Sequence, residues 1–346
     1  MKVVIQIPCL NEERTLPLVL EGIPRAIPGV DSIEVLIIDD GSTDRTVEVA
    51  RRLGVRHFVH HTRNMGLGQS FHDGTLKALE MGADIVVNTD GDNQYPSERI
   101  GELVQPILNG EADIVIADRQ THTISHFSPL KKRLQWFGSR VVNAAAGTEL
   151  PDAASGFRAY SREALVRLNT VTRFSYCMET IIQAGNKRLA ITSIPITTNP
   201  KTRESRLFNS MGQHVLQSGI TIMRAYIMYR PIVIFTLPGV GLLLAALALF
   251  ARYIFLFLFG SQHGGFYHTE SLIVATSLLV VASLFFALGI IADLIRINRI
   301  LIEDSLEQQK RVRYSVDLEP RIEPGNVTHE PALTSDAGAP SVDFSS

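Results

Sequence analysis

The chain has 346 residues, with 33 Lys+Arg against 35 Asp+Glu and a formal net charge of −2. That balance produces no global positive field, so a general polyanion binder is excluded and nucleic acid is not an expected partner. The length fits one large domain or about two small ones and supports a sizeable core. Hydrophobic residues make up 45% and charged residues 20% of the chain, yet residues 231–295 hold only three charged side chains, Arg252, Glu270 and Asp293. The average therefore conceals a soluble part and a membrane part. Two cysteines, Cys9 and Cys177, form neither a disulfide framework nor a metal-ligand set, and a reducing compartment is the simpler assumption.

The first apolar run, residues 3–7, stops at Pro8. It is too short for a secretory signal and reads as a buried β-strand. Further β-rich runs fall at residues 34–38, 55–60, 84–89 and 113–117. Helix-like stretches lie between them, such as residues 43–53 with Ser42 or Thr43 as N-cap. Strands alternating with helices predict βαβ units and a mostly parallel sheet. Ligands of such sheets bind outside the carboxyl ends of the strands. Here those ends carry the polar segments 8–13, 39–42, 64–68 and 90–96.

Residues 232–251 and 271–292 are uncharged and mostly apolar. At about 1.5 Å rise per residue, each is long enough as a helix to cross a hydrocarbon core roughly 30 Å thick. The first span extends past Arg252 to about residue 257, with the arginine snorkelling towards an interface. Arg224 and Arg230 precede the pair, Arg296 and Arg299 follow it, and residues 260–269 contain no Lys or Arg. The positive-inside rule then places both ends in the cytoplasm, as a hairpin in the cell membrane. Residues 207–230 have helical apolar spacing, which suits a helix lying in the membrane interface or one packed on the soluble domain. Residues 296–346 read as a cytoplasmic, largely disordered tail, with four prolines after Arg313.

Three motifs carry chemistry. Asp90-Gly91-Asp92-Asn93-Gln94-Tyr95-Pro96 follows the apolar run 85–87, and two carboxylates one residue apart at a strand end can hold Mg²⁺ or Mn²⁺. Asp39-Asp40-Gly41-Ser42-Thr43-Asp44 ends a buried strand, where acids bind ribose hydroxyls or a base edge or simply cap the next helix. Ile7-Pro8-Cys9-Leu10-Asn11-Glu12-Glu13 is again a strand running into polar residues.

In this order and spacing the three motifs resemble the signature of family-2 glycosyltransferases, whose nucleotide-sugar-binding fold is called GT-A. More narrowly, the chain resembles the dolichol-phosphate mannosyltransferase and polyprenyl-phosphate glycosyltransferase group. Arg63-Asn64-x-Gly66-x-Gly68, Ala117-Asp118-Arg119 and Asp152-Ala153-Ala154-Ser155-Gly156-Phe157-Arg158-Ala159-Tyr160 belong to the same resemblance, which covers roughly residues 1–230 and includes the hairpin. It implies an α/β GT-A domain over residues 1–206 followed by the two-helix hairpin in 231–295. Pro8, Leu10, Glu12, Asp39 and Asp90 are implied to line the nucleotide sugar, supported by Asp40. Asp90, Asp92 and Gln94 are implied metal ligands. Asp92, Arg119, Asp152 and Arg158 are implied catalytic residues, with Ser155 and Gly156 near the sugar and acceptor. Arg133, Arg140, Arg203 and Arg206 are implied to face the acceptor phosphate, Arg206 standing where the family usually has lysine.

The implied reaction is inverting transfer of a hexose from a GDP- or UDP-linked donor to a polyprenyl phosphate. The acceptor phosphate is anionic at neutral pH and needs no general base, since its second pKa lies near 6. Two alternatives stay open: transfer to a lipid, glycan or protein hydroxyl with Asp152 as base, and an inactive membrane scaffold. A processive synthase is disfavoured, because the only tryptophan, Trp136, follows Leu134-Gln135 and no Gln-x-x-Arg-Trp motif exists. The implied partners are the nucleotide sugar, the lipid phosphate and the bilayer; a homo-oligomer is left open.

Overall fold

The computed structural model describes residues 1–120, 129–170, 176–200, 223, 231–259 and 269–316. A seven-stranded sheet has the order β3-β2-β1-β4-β6-β5-β7. Its strands are β1 (Lys2–Cys9), β2 (Ser32–Asp39), β3 (His57–His60), β4 (Ile85–Asn88), β5 (Ile114–Asp118), β6 (Arg158–Ser161) and β7 (Ile191–Pro195). β1 pairs in parallel with β2 from Lys2↔Ser32 to Cys9↔Asp39, and with β4 from Val3↔Ile85 to Gln6↔Asn88. β6 alone runs against its neighbours, joining β4 through Asn88↔Arg158 and β5 through Ile114↔Tyr160. The five anticipated strands are all present; β6 and β7 complete the sheet.

Residues alternate between the two faces of each strand, and two cores result. On one face Val4, Leu36, Ile38, Val86 and Tyr160 meet Phe71 and Leu79 of α3 (Leu67–Glu80), Val142 of α5 (Pro129–Ala146), and Tyr176 and Ile181 of α7 (Tyr176–Asn186). On the other, Val3, Ile5, Ile7, Ile37 and Val87 meet Leu16 and Val19 of α1 (Leu16–Gly22), Ala50 of α2 (Thr46–Arg52) and Leu103 of α4 (Ile100–Leu108). Helices on both faces explain why the parallel strands read as continuous apolar runs. The anticipated N-cap of α2 differs: Ser42 accepts from the backbone N–H of Asn11 instead, and Asp44 takes the N–H of Thr46 at 2.9 Å.

α8 (Pro231–Phe259) and α9 (Thr269–Tyr314) pack against one another as the anticipated hairpin. Gly239 and Ala246 on α8, and Ala275, Ala282 and Gly289 on α9, form the buried contact at seven-residue spacing. This is the repeat that keeps one seam facing its partner. A Cβ on Gly239 would stand 3.3 Å from Phe285 and Phe286, and one on Gly289 3.3 Å from Phe235. Leu237, Leu244, Phe257, Ile273 and Leu284 point outward and are exposed, which is the apolar surface a bilayer would cover.

Residues 296–316 correct the reading of a tail that begins at 296. α9 continues to Tyr314 and docks on the sheet domain beside α6 (Arg162–Arg167) and α7. Arg299 meets Glu179 at 3.5 Å, Lys187 meets Glu307 at 3.4 Å, and Arg311 meets Glu163 at 3.0 Å. Lys310 donates to the carbonyls of Leu168 (2.6 Å) and Leu165 (3.3 Å), capping α6. Tyr314 is buried, with its carbonyl held by Arg162 at 2.7 Å. This segment has high helix propensity and no Gly or Pro before residue 316, and ion pairs rather than apolar periodicity hold it. Residues 207–230, apart from residue 223, and residues 317–346 lie outside the described residues, so the expected helix over 207–230 does too.

Candidate active site

The loops leaving β1 and β2 are laced together. Asn11 adopts φ +59°, and its side-chain carbonyl accepts from the N–H of Thr43 (2.8 Å) and Asp44 (3.3 Å). Asp39, at the last position of β2, accepts from the N–H of Ser42 at 3.0 Å and lies 3.3 Å from His60 Nδ1. Asp40 faces the other way. Its carboxylate takes His61 Nδ1 at 2.7 Å and the N–H groups of Met65 (2.7 Å) and Gly66 (3.0 Å). Those bonds hold the 63–68 turn against β2. Gly41 is required there, because its φ is +81° and a Cβ would approach the backbone of Arg63 to 2.8 Å. Glu12 is buried, its carboxylate accepting from the Thr15 hydroxyl at 2.7 Å.

The acidic turn begins two residues past β4. Asp92 accepts from the N–H of Gln94 at 3.1 Å, and Asn93 sits at φ +58° between them. Gly91 lets the turn lie on the end of β1: a Cβ there would stand 3.0 Å from Cys9 Sγ and 3.2 Å from Glu12 Cγ. A Cβ on Gly156 would come within 3.4 and 3.6 Å of the two Asp90 carboxylate oxygens. Glycine therefore keeps the ground beside Asp90 open. Asn199 clasps the turn from beyond β7, donating its N–H to the Gln94 carbonyl (3.0 Å) and its side-chain amide to the Asn93 carbonyl (3.2 Å). No motif marks Asn199 in the sequence; only the return of β7 to the same sheet edge brings it there.

Two hard carboxylates on one turn suit a hard divalent cation whose shell is completed by diphosphate oxygens and water. Among the described residues no cluster of three or more His, Cys, Asp or Glu side chains gathers to hold an ion. The donor set therefore fits an ion shared with a phosphate ligand better than a closed protein cage. Gln94 takes part in this turn through its backbone, as above.

Buried Asp152 and half-buried Arg119 form a two-pronged ion pair. Arg119 Nε lies 2.6 Å from Asp152 Oδ2 and Nη2 lies 3.0 Å from Oδ1. Burial alone pushes the Asp152 carboxyl up, but the charge and hydrogen bonds of Arg119 outweigh it and hold the group below the usual carboxylate range. Arg119 follows β5, so the pair sits at the same sheet edge as the acidic turn. Tyr95 joins the two: its hydroxyl accepts from the N–H of Gly156 at 3.0 Å, and burial pushes its phenol up to about 12.

Arg158 does not reach the open site. It is wholly buried and donates to the carbonyls of Ser155 (2.7 Å), Cys177 (2.9 Å) and Ala153 (2.9 Å) and to the Thr180 hydroxyl (3.0 Å). In this structure it fastens the 152–156 loop to α7. A second network missed by the sequence reading backs that loop. Gln6 donates to Asn88 at 2.9 Å; Asn88 donates to the Gly156 carbonyl at 3.0 Å, and Tyr176 donates to that carbonyl at 2.9 Å.

The structure thus gathers Glu12, Asp39, Asp90, Asp92, Gln94, Arg119 and Asp152 at the carboxyl edge of the sheet, with Pro8 and Leu10 at the end of β1. Ser155 is buried in the same loop as Asp152. Arg140 is exposed on α5, its guanidinium 5.0 Å from the centre of the Trp136 ring. Arg133 lies in α5, its side chain outside the described residues, as are Arg203 and Arg206 entirely.

The acidic turn stands at the carboxyl edge of the sheet, where α/β sheets bind their ligands. Residues 4–168 match the model for Glycosyl transferase family 2. The chain belongs to that family and is a glycosyltransferase with a GT-A fold. Among similar proteins, the UDP-N-acetylglucosamine–dolichyl-phosphate N-acetylglucosaminyltransferase of Methanococcus voltae is 30% identical over 213 residues, covering 56% of this chain and 83% of the relative. The undecaprenyl-phosphate mannosyltransferase of Micrococcus luteus is 30% identical over 207 residues, covering 57% and 83%. Of solved structures, glucosyl-3-phosphoglycerate synthase from Mycobacterium tuberculosis, in complex with Mn²⁺, UDP and phosphoglyceric acid, superposes with a TM-score of 0.50 at 23% identity, over 64% of this chain and 78% of that one. That likeness establishes the fold.

Proposed function

We propose that the protein transfers a hexose from a nucleotide-diphosphate sugar to a polyprenyl phosphate at the cytoplasmic face of a membrane, with inversion at the anomeric carbon. The observation that carries this reading is the joining of the acidic-turn domain to an apolar hairpin through one continuous helix, α9. A soluble acceptor gives no reason for such an anchor; a lipid acceptor does. Relatives named for transfer to dolichyl and undecaprenyl phosphates support it.

Glu12 and Asp39 are suited to the base and ribose of the donor, with Asp40 positioning the 63–68 turn beside them. Asp90 and Asp92 would hold Mg²⁺ or Mn²⁺ against the diphosphate, where the ion neutralises charge accumulating on the leaving group. An oxygen of the acceptor phosphate attacks the anomeric carbon. The bond from that carbon to the diphosphate oxygen breaks, and the nucleoside diphosphate leaves with the electron pair. No proton need be removed from a phosphate already ionised. Asp152 gives both oxygens to Arg119 and is held well ionised, which makes it a weak base and disfavours a hydroxyl acceptor. Its service is to fix Arg119 beside the acidic turn, where cationic charge favours phosphate.

The docking of residues 296–314 on the domain formed by residues 1–200 supports a hairpin with both ends on one side of the membrane. The arginines flanking it support the cytoplasmic side.

The test is transfer of labelled sugar into the organic phase by the full-length protein in detergent, with polyprenyl phosphate, Mg²⁺ or Mn²⁺ and a panel of GDP- and UDP-sugars. Metal-dependent labelled lipid, lost in Asp92→Asn, is the expected result. Donor hydrolysis with no labelled lipid would overturn the acceptor assignment.

A further inference from the structure

α5 carries an exposed stripe made by Trp136, Arg140 and Ala144, one helical turn apart. Trp136 is 61% exposed, and it is the single tryptophan of the chain. An isolated exposed indole under an arginine calls for a partner that is apolar at one depth and anionic at the next.

The packing of three helices shows what stands at that height. α7 and α9 run parallel with a constant offset of 120 residues, fixed by Glu179–Arg299 at one end and Lys187–Glu307 at the other. α5 and α7 are parallel as well. Gly185 near the end of α7 abuts the carbonyl of Ala146 at the end of α5. Towards the other end, Arg158 links the Cys177 carbonyl to Ala153, whose N–H bonds Ser139. Carried across the three helices, these offsets set Trp136 level with about residue 295 of α9, within about one turn. The uncharged run of α9 ends immediately before that, at Asp293.

The indole therefore sits at the depth where α9 leaves the hydrocarbon, the level at which tryptophan is favoured in membrane proteins. Lys131, Lys132 and Arg133 occupy the preceding turns of α5, and the exposed Arg140 follows, so the helix's first half is strongly basic. We propose that the first half of α5 is a second membrane contact, with Trp136 and Arg140 seated in the headgroup layer of an anionic bilayer beside α9. The contact would hold the open edge of the sheet, with Asp90 and Asp92, towards the surface from which a lipid substrate must rise. It is a claim about depth and does not depend on the identity of the transferred sugar or of the acceptor.

The single tryptophan makes the test direct. Full-length protein is placed in nanodiscs of phosphatidylcholine and phosphatidylglycerol, with and without bromine on the upper acyl carbons, and intrinsic emission is recorded. Brominated lipid should quench the emission roughly two-fold or more, as expected for an interfacial indole. Quenching should deepen as phosphatidylglycerol is raised, and Arg140→Glu should remove that dependence. Emission unaffected by bromine and open to iodide would overturn the proposal. So would quenching that appears only after polyprenyl phosphate is added, which would give the face to the acceptor lipid. Emission shielded from iodide yet untouched by bromine would give it to another protein surface, again against the proposal.

Discussion

Replacing Arg158 by methionine separates a structural arginine from one that meets substrate. The guanidinium is enclosed and donates to three carbonyls and one hydroxyl within 3.0 Å. Methionine fills similar volume but strands the Ser155 and Ala153 carbonyls, at about 1–3 kcal/mol each, while the Cys177 carbonyl keeps the Thr180 hydroxyl. Part of this is offset because the wild type must desolvate a cation, which itself costs several kcal/mol. A net loss of about 3 kcal/mol is expected, or roughly 6–12 °C in melting temperature for a domain of this size. The assay is thermal unfolding of the full-length protein in detergent, followed by near-ultraviolet circular dichroism, with Asp92→Asn as a folded, inactive comparison. An Arg158→Met protein that melts within about 2 °C of wild type yet has lost transfer would refute the structural reading and return the side chain to the substrate.

Asp90→Asn and Asp92→Asn should each leave the melting temperature near wild type while lowering transfer by at least about 100-fold; donor binding measured with and without Mn²⁺ should lose its metal dependence. Asp152→Asn removes the anionic partner of the half-buried Arg119 and should destabilise the protein by about 1.5–3 kcal/mol at pH 7. Because the folded-state pKa of Asp152 is depressed, its contribution is full above the unfolded value of about 3.9 and fades as pH falls through the folded value. Denaturant titrations from pH 7 to 3 should therefore show the variant losing less stability than wild type. For Lys310 the sign is opposite. Burial lowers its amine to about 8, so folding disfavours its charged form, the penalty is full below that pH, and it is relieved as pH rises towards the unfolded value of about 10.4. Wild type should gain stability between pH 8 and about 10 relative to Lys310→Met; parallel pH profiles would contradict the buried-amine geometry.

Five strands of the sheet were legible because each is a short β-rich run, and β1, β4, β5 and the second half of β2 are buried apolar runs ending in polar residues. β6 was not: it has four residues, begins at Arg158 and is antiparallel, so neither run length nor polarity marks it. Strand ends placed Asp39, Asp90 and Asp92 at one edge, since parallel strands deliver their carboxyl ends together. What pattern reading could not supply was the direction of individual carboxylates and arginines. Asp40 turns to the 63–66 backbone, Asp152 to Arg119 and Arg158 to α7, all through contacts more than fifteen residues apart in sequence. The extension of α9 escaped for a related reason. Its charged side chains look solvated in sequence, and only partners supplied by other elements, among them Glu163, Glu179, Glu80 and Lys187, reveal that they are paired.

The account stands most directly on the acceptor being a phosphate. Polyprenyl phosphate and the free polyprenol of the same chain length should be offered side by side, with the metal and the best donor, and the product analysed by mass and anomeric configuration. The account predicts product from the phosphate alone, with the configuration opposite to that of the donor. Glycosylated polyprenol, or a product that retains the donor's configuration, would contradict it.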